Sequence, residues 1–196
     1  HVVVDAVSNN DLGAIAEACR DMTLITGGSA IAMPLAELFV RDGLLAPDES
    51  DGDGIHLPQG AIVLSGSCSA MTRAQVAQYA LIAPSLRLDP LDLDRQGTGA
   101  ARDWLSRQAP GANPIIYATA EPAEVRLAQE RLGVARAGQV VEEALAELAV
   151  LARDRGIRRF VVAGGETSGA VAKALDVTRL DIGQEIAPGV PWTSCT

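Results

Sequence analysis

The sequence predicts an α/β fold, a three-layer sandwich with a largely parallel sheet. Three observations carry that prediction. Short β-branched runs alternate with segments of helical spacing, the pattern that strand–helix–strand units produce. Three of the runs end in a burst of small residues followed by a helix, at 26–30, 65–72 and 164–169. Hydrophobic residues make up 48% of the 196 residues but aromatics only 3%. Ala, Leu, Val and Ile must therefore fill the core, which suits packed helix and sheet layers better than a β-sandwich.

The elements follow in order. Residues 2–4 are a β-branched run and read as a strand, and 23–26 read as a second. Between them Leu12, Ile15, Ala16 and Cys19 share one face of a helix over 11–19. A helix over 30–39 contains Pro34, which a helix tolerates mainly in its first turn. Residues 42–60 hold four glycines, two prolines and a cluster of acids, so a linker is expected over 43–60. Within it Asp51-Gly52-Asp53-Gly54 lacks the spacing and terminal Glu of a calcium loop and reads as a solvated turn. Alternation then resumes, with strands over 61–64, 85–88, 114–118 and 160–163. Helices are expected over 71–80, 101–108, 122–132, 140–153 and from the 164–169 turn to 175.

Bulk charge excludes several functions. The formal charge is −9, the wrong sign for a nucleic-acid backbone or an anionic membrane surface. A small anion still fits, because backbone N–H groups alone can make a local site positive. No apolar run reaches the roughly 20 residues of a membrane span. The three cysteines, Cys19, Cys68 and Cys195, form no CxxC pair, and His1 and His56 are the only histidines. No zinc site, no other bound metal and no disulfide framework is expected, and the default location is a reducing cytoplasm.

The three strand–turn–helix junctions are where chemistry can sit, since ligands of open α/β sheets bind at the carboxyl ends of strands. The first offers Gly27, Gly28 and Ser29, the second Ser65, Gly66, Ser67 and Ser69, the third Gly164, Gly165, Glu166 and Thr167. Glycine lets a ligand approach the main chain, and Ser and Thr supply hydroxyls and helix N-caps. Each turn taken alone is explained by ordinary turn chemistry; three in one sheet point to an anion site. The pair Gly164-Gly165 suggests a phosphate packed on the main chain, with Gly165 free to take a positive φ. Glu166 can bind Mg²⁺, bind a ribose hydroxyl, or simply complement the helix dipole. Neither G-x-x-x-x-G-K-[ST] nor G-x-G-x-x-G occurs, and no G-x-S-x-G elbow. Lys173, the only lysine, reads as solvated, and Cys68 as a packing residue.

Read together, four strings resemble the four-carbon acid sugar kinase family. They are Ile25 to Ala30, Val63 to Ser69, Gly164 to Gly169, and Pro188-Gly189-Val190-Pro191-Trp192. The Val-Val-Asp-Ala opening and the Ser-Cys-Ser turn are most similar to its 3-oxo-tetronate kinase branch, with D-threonate and D-erythronate kinases as close relatives. The resemblance implies an ATP- and Mg²⁺-dependent transfer of a phosphoryl group to a small acid sugar. It implies that the 65–69 and 164–167 turns contact ATP, with Gly27, Gly28 and Ser29 on the substrate side. Residues 1–42 would then be the tail of an N-terminal acid-sugar domain, and 61–196 a nucleotide-binding domain cut short. The family's Asp-Asp-x-Thr-Gly motif is absent, so no catalytic base is named. A homodimer is left open. The competing readings are a non-catalytic nucleotide- or phosphosugar-binding domain, and a lyase or isomerase. The second of these is disfavoured because no His or Lys lies in the glycine-rich turns to act as a base.

Overall fold

The computed structural model describes residues 2–46, 60–109, 111–187 and 190–195. They fall into two compact units, which we treat separately. The first holds the described residues up to 46 together with 182–187 and 190–193; the second holds the rest.

The second unit carries a four-stranded sheet in the order β2-β3-β1-β4, from β1 (Ala61–Ser65), β2 (Ser85–Arg87), β3 (Ile115–Tyr117) and β4 (Arg159–Ala163). All three pairings are parallel, with Ser65 opposite Tyr117 on one side and Ala163 on the other. The expected α/β class and parallel sheet are what the chain forms. Helices α3 (Ala70–Tyr79), α4 (Pro90–Gln96), α5 (Gly99–Ser106), α6 (Pro122–Leu132), α7 (Val134–Asp154) and α8 (Gly165–Ala174) connect or follow the strands. The strand order reverses direction after β2. Right-handed crossovers therefore put α3 on one face and α4 to α7 on the other.

The pleat divides the core accordingly. Ile62, Leu64 and Ile116 point into one cluster with Leu145, Leu148, Ala149 and Ala152 of α7, all essentially buried. Ala61 and Ile115, on the opposite pleat, and Val76 of α3 are buried outside that cluster. Helix α7 is amphipathic over 21 residues and packs on α4, α5, α6, α8 and β1. It starts six residues before the sequence spacing suggested, because Gly133, at φ 82°, ends α6 and starts α7 with no linker.

In the first unit, α1 (Asn9–Cys19) packs on α2 (Ala32–Arg41). A capping box between Ser8 and Asp11 starts α1, and backbone N–H groups of Ser8 and Val7 hold the Asp11 carboxyl below its ordinary range. Pro34 is the third residue of α2, in the first turn where its missing N–H costs nothing. Strands β5 (Asp181–Ala187) and β6 (Val190–Ser194) pair with each other.

Three expectations are corrected. Residues 2–4 and 23–26 are not strands. The β-branched run is there, but a strand exists only against a hydrogen-bonding neighbour, and none is present among the described residues. Helix α4 and the β5–β6 pair were missed. Asp89 caps α4 by accepting from the Leu91 N–H at 2.7 Å, with Pro90 in its first turn, so the Asp-Pro signal was in the sequence. The linker expected over 43–60 lies mostly outside the described residues, as do Pro188 and Gly189.

Leu148, fully buried where α7 meets the sheet, gives a direct check on this core. Leu148→Ala is expected to lower unfolding free energy by about 2–5 kcal/mol in urea titrations, the usual cost of a core leucine cavity. A loss below about 1 kcal/mol would place α7 elsewhere.

Candidate functional site

Because Ser65 and Ala163 are paired neighbours, the turns that follow β1 and β4 emerge side by side at the carboxyl end of the sheet. The N–H groups of Gly66 and Ser67 both donate to the Ala163 carbonyl, at 3.1 and 3.3 Å. A Cβ on Gly66 would lie 2.2 Å from Thr167 Oγ1, and one on Gly164 would lie 3.2 Å from both Ser67 N and Thr167 Oγ1. Gly164 also takes φ 118°. These two glycines are required by the way one turn rests on the other.

Gly165 differs. It opens α8 with no positive φ, which corrects the expectation of left-handed backbone there; nothing lies within 4 Å of where its Cβ would be. Its main chain faces open space.

The two turns also differ in how their polar groups are satisfied. Around 65–69 the hydroxyls serve each other. Ser65 Oγ and Thr119 Oγ1 are 2.9 Å apart, and Thr119 donates to the Ser67 carbonyl at 2.8 Å. Ser69 caps α3 by accepting from the Thr72 N–H at 3.1 Å, and the Thr72 hydroxyl donates to Ser67 Oγ at 3.1 Å. At α8 no side chain caps the first turn. The Ser168 N–H is the first to close onto the helix, reaching the Gly164 carbonyl at 2.8 Å. The N–H groups of Gly165, Glu166 and Thr167 are therefore available to a ligand. Thr167 is only 3% exposed, and its hydroxyl has no hydrogen-bond partner among the described residues, although its oxygen is not fully shut off from solvent.

Thr167, Glu166 and Gly66 line a cavity of about 420 Å³ that runs across the strand ends. Its remaining walls were not foreseen from the sequence. Arg87, Leu88 and Asp89 follow β2, Ala118 and Ala120 follow β3, and α6 and α7 add an apolar side through Val125, Ala128, Ala137, Gly138 and Val141. Sequence spacing cannot show such a wall, because small helical residues look the same whether they pack on a neighbour or face a cavity. Among the described residues Arg87 is the one cation lining it, and it donates to Glu124 at 2.7 Å. That bond holds the Arg87 guanidinium above its ordinary value and the Glu124 carboxyl below the usual carboxylate range, helped by the Glu121 N–H.

Gly27, Gly28 and Ser29 belong to the first unit and follow no strand, so they do not join the other turns in one sheet. Cys19, Cys68 and Cys195 are free thiols. No cluster of three or more His, Cys, Asp or Glu side chains able to hold a metal occurs among the described residues.

Two predictions follow from this geometry. Gly66→Ala is expected to destabilise by about 1–3 kcal/mol, since rotating Thr167 away from the new methyl brings its own methyl into contact. Gly165→Ala should stay within about 1 kcal/mol of the parent, on the stabilising side, as glycine replaced in a helical conformation is. Chemical denaturation of both variants distinguishes them; equal losses would mean the turns do not touch. The second concerns acid. A carboxyl with a depressed folded pKa contributes stability above its unfolded value near 4.3, and that contribution is lost as pH falls through the folded value. The Tm advantage of the parent over Glu124→Gln should thus be full at pH 6 and shrink below about pH 4. A constant difference from pH 6 to 3 would show that the ion pair adds nothing.

Comparison with known proteins gives this cavity its context. A family model described as a nucleotide-binding C-terminal domain matches residues 62–196. A curated 3-oxo-tetronate kinase of Cupriavidus necator is 50% identical over 194 residues, covering 97% of this chain and 44% of its own. Its Pseudomonas fluorescens counterpart is 48% identical with the same coverage. The crystal structure of a Haemophilus influenzae protein of the DUF1537 family superposes with a TM-score of 0.74 at 35% identity, over 98% of this chain and 46% of that one. The chain thus spans less than half the length of the curated relatives it matches. It belongs to the four-carbon acid sugar kinase family, and its residues 62–196 match the nucleotide-binding C-terminal domain.

Proposed function

We propose that this chain is the nucleotide-binding half of an ATP-dependent kinase that phosphorylates a four-carbon acid sugar, 3-oxo-tetronate first and D-threonate or D-erythronate as near alternatives. The observation that carries the reading is the uncapped first turn of α8, with the Thr167 hydroxyl on the cavity wall beside it and unpartnered among the described residues. A phosphate oxygen would accept from that hydroxyl together with the free N–H groups. The apolar side made by α6 and α7 suits a purine, which needs a flat, largely dry surface. The names of the curated relatives supply the acceptor.

The residues present fit MgATP. Glu166 is an exposed carboxylate on the cavity wall, and Mg²⁺ bound to phosphates takes only one or two carboxylates from a protein. Bound there, the ion would neutralise charge on the phosphates. This chain's own part is to orient the triphosphate: α8 holds phosphate oxygens, Gly165 lets them reach the main chain, and Gly66 and Gly164 keep the two turns in place. In the transfer, the bond from the γ-phosphorus to its bridging oxygen breaks as a bond to the acceptor hydroxyl oxygen forms. The hydroxyl proton goes to a base for which these residues offer no candidate. Such chemistry depends on positioning and charge stabilisation. Residues 1–42 are, on this reading, the tail of the acid-sugar domain.

Gly165→Val tests the site without disturbing the fold, since its Cβ meets open space while its side chain would occupy the phosphate position. Calorimetric titration with MgATP, with folding checked by circular dichroism, should show roughly a tenfold or greater loss of affinity. Thr167→Val, which keeps the packing against Gly66, should lose less than that but measurably. Parent-like binding by folded Gly165→Val would remove α8 from the site.

A further inference from the structure

Cys68 takes on a role the sequence did not suggest. It is half-buried in the wall of the 420 Å³ cavity. Its two polar ends face different ways. The carbonyl oxygen accepts a hydrogen bond from Arg73 Nη1 at 2.7 Å, and Arg73 lines a separate, smaller cavity beside α3. The sulfur instead lies 3.9 Å from the Gly66 carbonyl and 4.0 Å from the Ala118 carbonyl. Both of those residues line the larger cavity. At such distances, and from a weak S–H donor, the thiol is not tied down. A second observation points to a ligand in this cavity: the side chain of Thr167, 3% exposed and unpartnered among the described residues, is on its wall. The sulfur and the ligand therefore share one space. Cys19, half-buried on α1, and Cys195, exposed, line neither this cavity nor the smaller one beside α3.

We propose that Cys68 is a modification site for small, uncharged, soft electrophiles, and that an adduct on its sulfur and a nucleotide exclude one another. The proposal rests on the nucleotide reading of the same cavity. With N-ethylmaleimide as the probe, the sulfur adds to one carbon of the ring double bond. One C–S bond forms, the π bond breaks, and the thiol proton is replaced through solvent by one on the neighbouring carbon. Nothing leaves and no oxidant is needed. The adduct's bulk then stands between Gly66 and Ala118, across the path from the α8 turn to the apolar wall.

The test follows modification of each cysteine in the parent chain by peptide mapping over time, with and without saturating MgATP. Calorimetry on the same preparation establishes whether MgATP binds. The rate at Cys68 should fall by roughly fivefold or more with MgATP, while the rate at Cys195 changes by less than about twofold. Chain modified at Cys68 and still folded by circular dichroism should bind MgATP at least about tenfold more weakly. In Cys68→Ser, treatment should leave binding where it stood before treatment. If MgATP binds and Cys68 reacts at one rate throughout, or never reacts, the proposal is wrong while the nucleotide reading stands. If calorimetry detects no binding, both fall together.

Discussion

The close approach of Gly66 to Thr167 is the constraint on which the site depends. Parallel pairing brings Ser65 and Ala163 level, and the Ala163 carbonyl accepts from two successive N–H groups of the neighbouring turn. The turn after β1 thus lies on the start of α8, with Leu145 of α7 3.6 Å below the position a Gly66 Cβ would take. A side chain at Gly66 would meet the Thr167 side chain at the start of α8, the helix that packs chiefly on α7. Core and site are in this sense one arrangement: the helix that fills the core also sets the height at which the uncapped turn of α8 sits.

A second constraint comes from the hydroxyl groups. Ser65, Thr72 and Thr119 are buried or nearly so, and each is paired. Their bonds link the ends of β1 and β3 to the start of α3, in an environment where an unpaired hydroxyl would be costly. Ser65 and Ser69, read from the sequence among the nucleotide contacts, spend their hydroxyls on this internal network. Thr167 has the same chemistry and no partner among the described residues. The contrast separates hydroxyls bound into the fold from one left open on the cavity wall, a distinction that residue type alone could not make.

What was legible in the sequence follows from the range of the interactions involved. Strands β1 to β4 and helices α3, α5, α6 and α8 were legible because period and turn residues are local signals. The same rules misread 2–4 and 23–26, where β-propensity is real but a partner strand decides the outcome. At the site, the glycine-rich turns stood out, yet their glycines divide into two that are packed against neighbours and one that is open, which only the fold reveals. Arg87, Asp89 and the α6–α7 side of the cavity carried no signal of a site, the Asp-Pro pair marking only a helix start. They lie some 20 to 75 residues from Gly66 in the chain and join it only when the sheet order is known.

Charge decides what kind of anion site this can be. Among the described residues the cavity is lined by four carboxylates, Asp89, Glu124, Glu142 and Glu166, against the single guanidinium of Arg87, which Glu124 already engages. Side-chain charge therefore opposes a polyphosphate here, in a protein that is itself acidic overall. What remains is the partial positive charge of an uncapped helix start, roughly half a unit and effective only within the first turn. That is too little for a bare triphosphate among carboxylates, and enough for one whose charge a divalent cation has already reduced. On the proposed reading, the acidity of the walls would favour the metal-bound nucleotide over the free one. The absence of a P-loop lysine is consistent with this: where the metal and the helix start supply the positive charge, the protein needs no cation of its own at the phosphates.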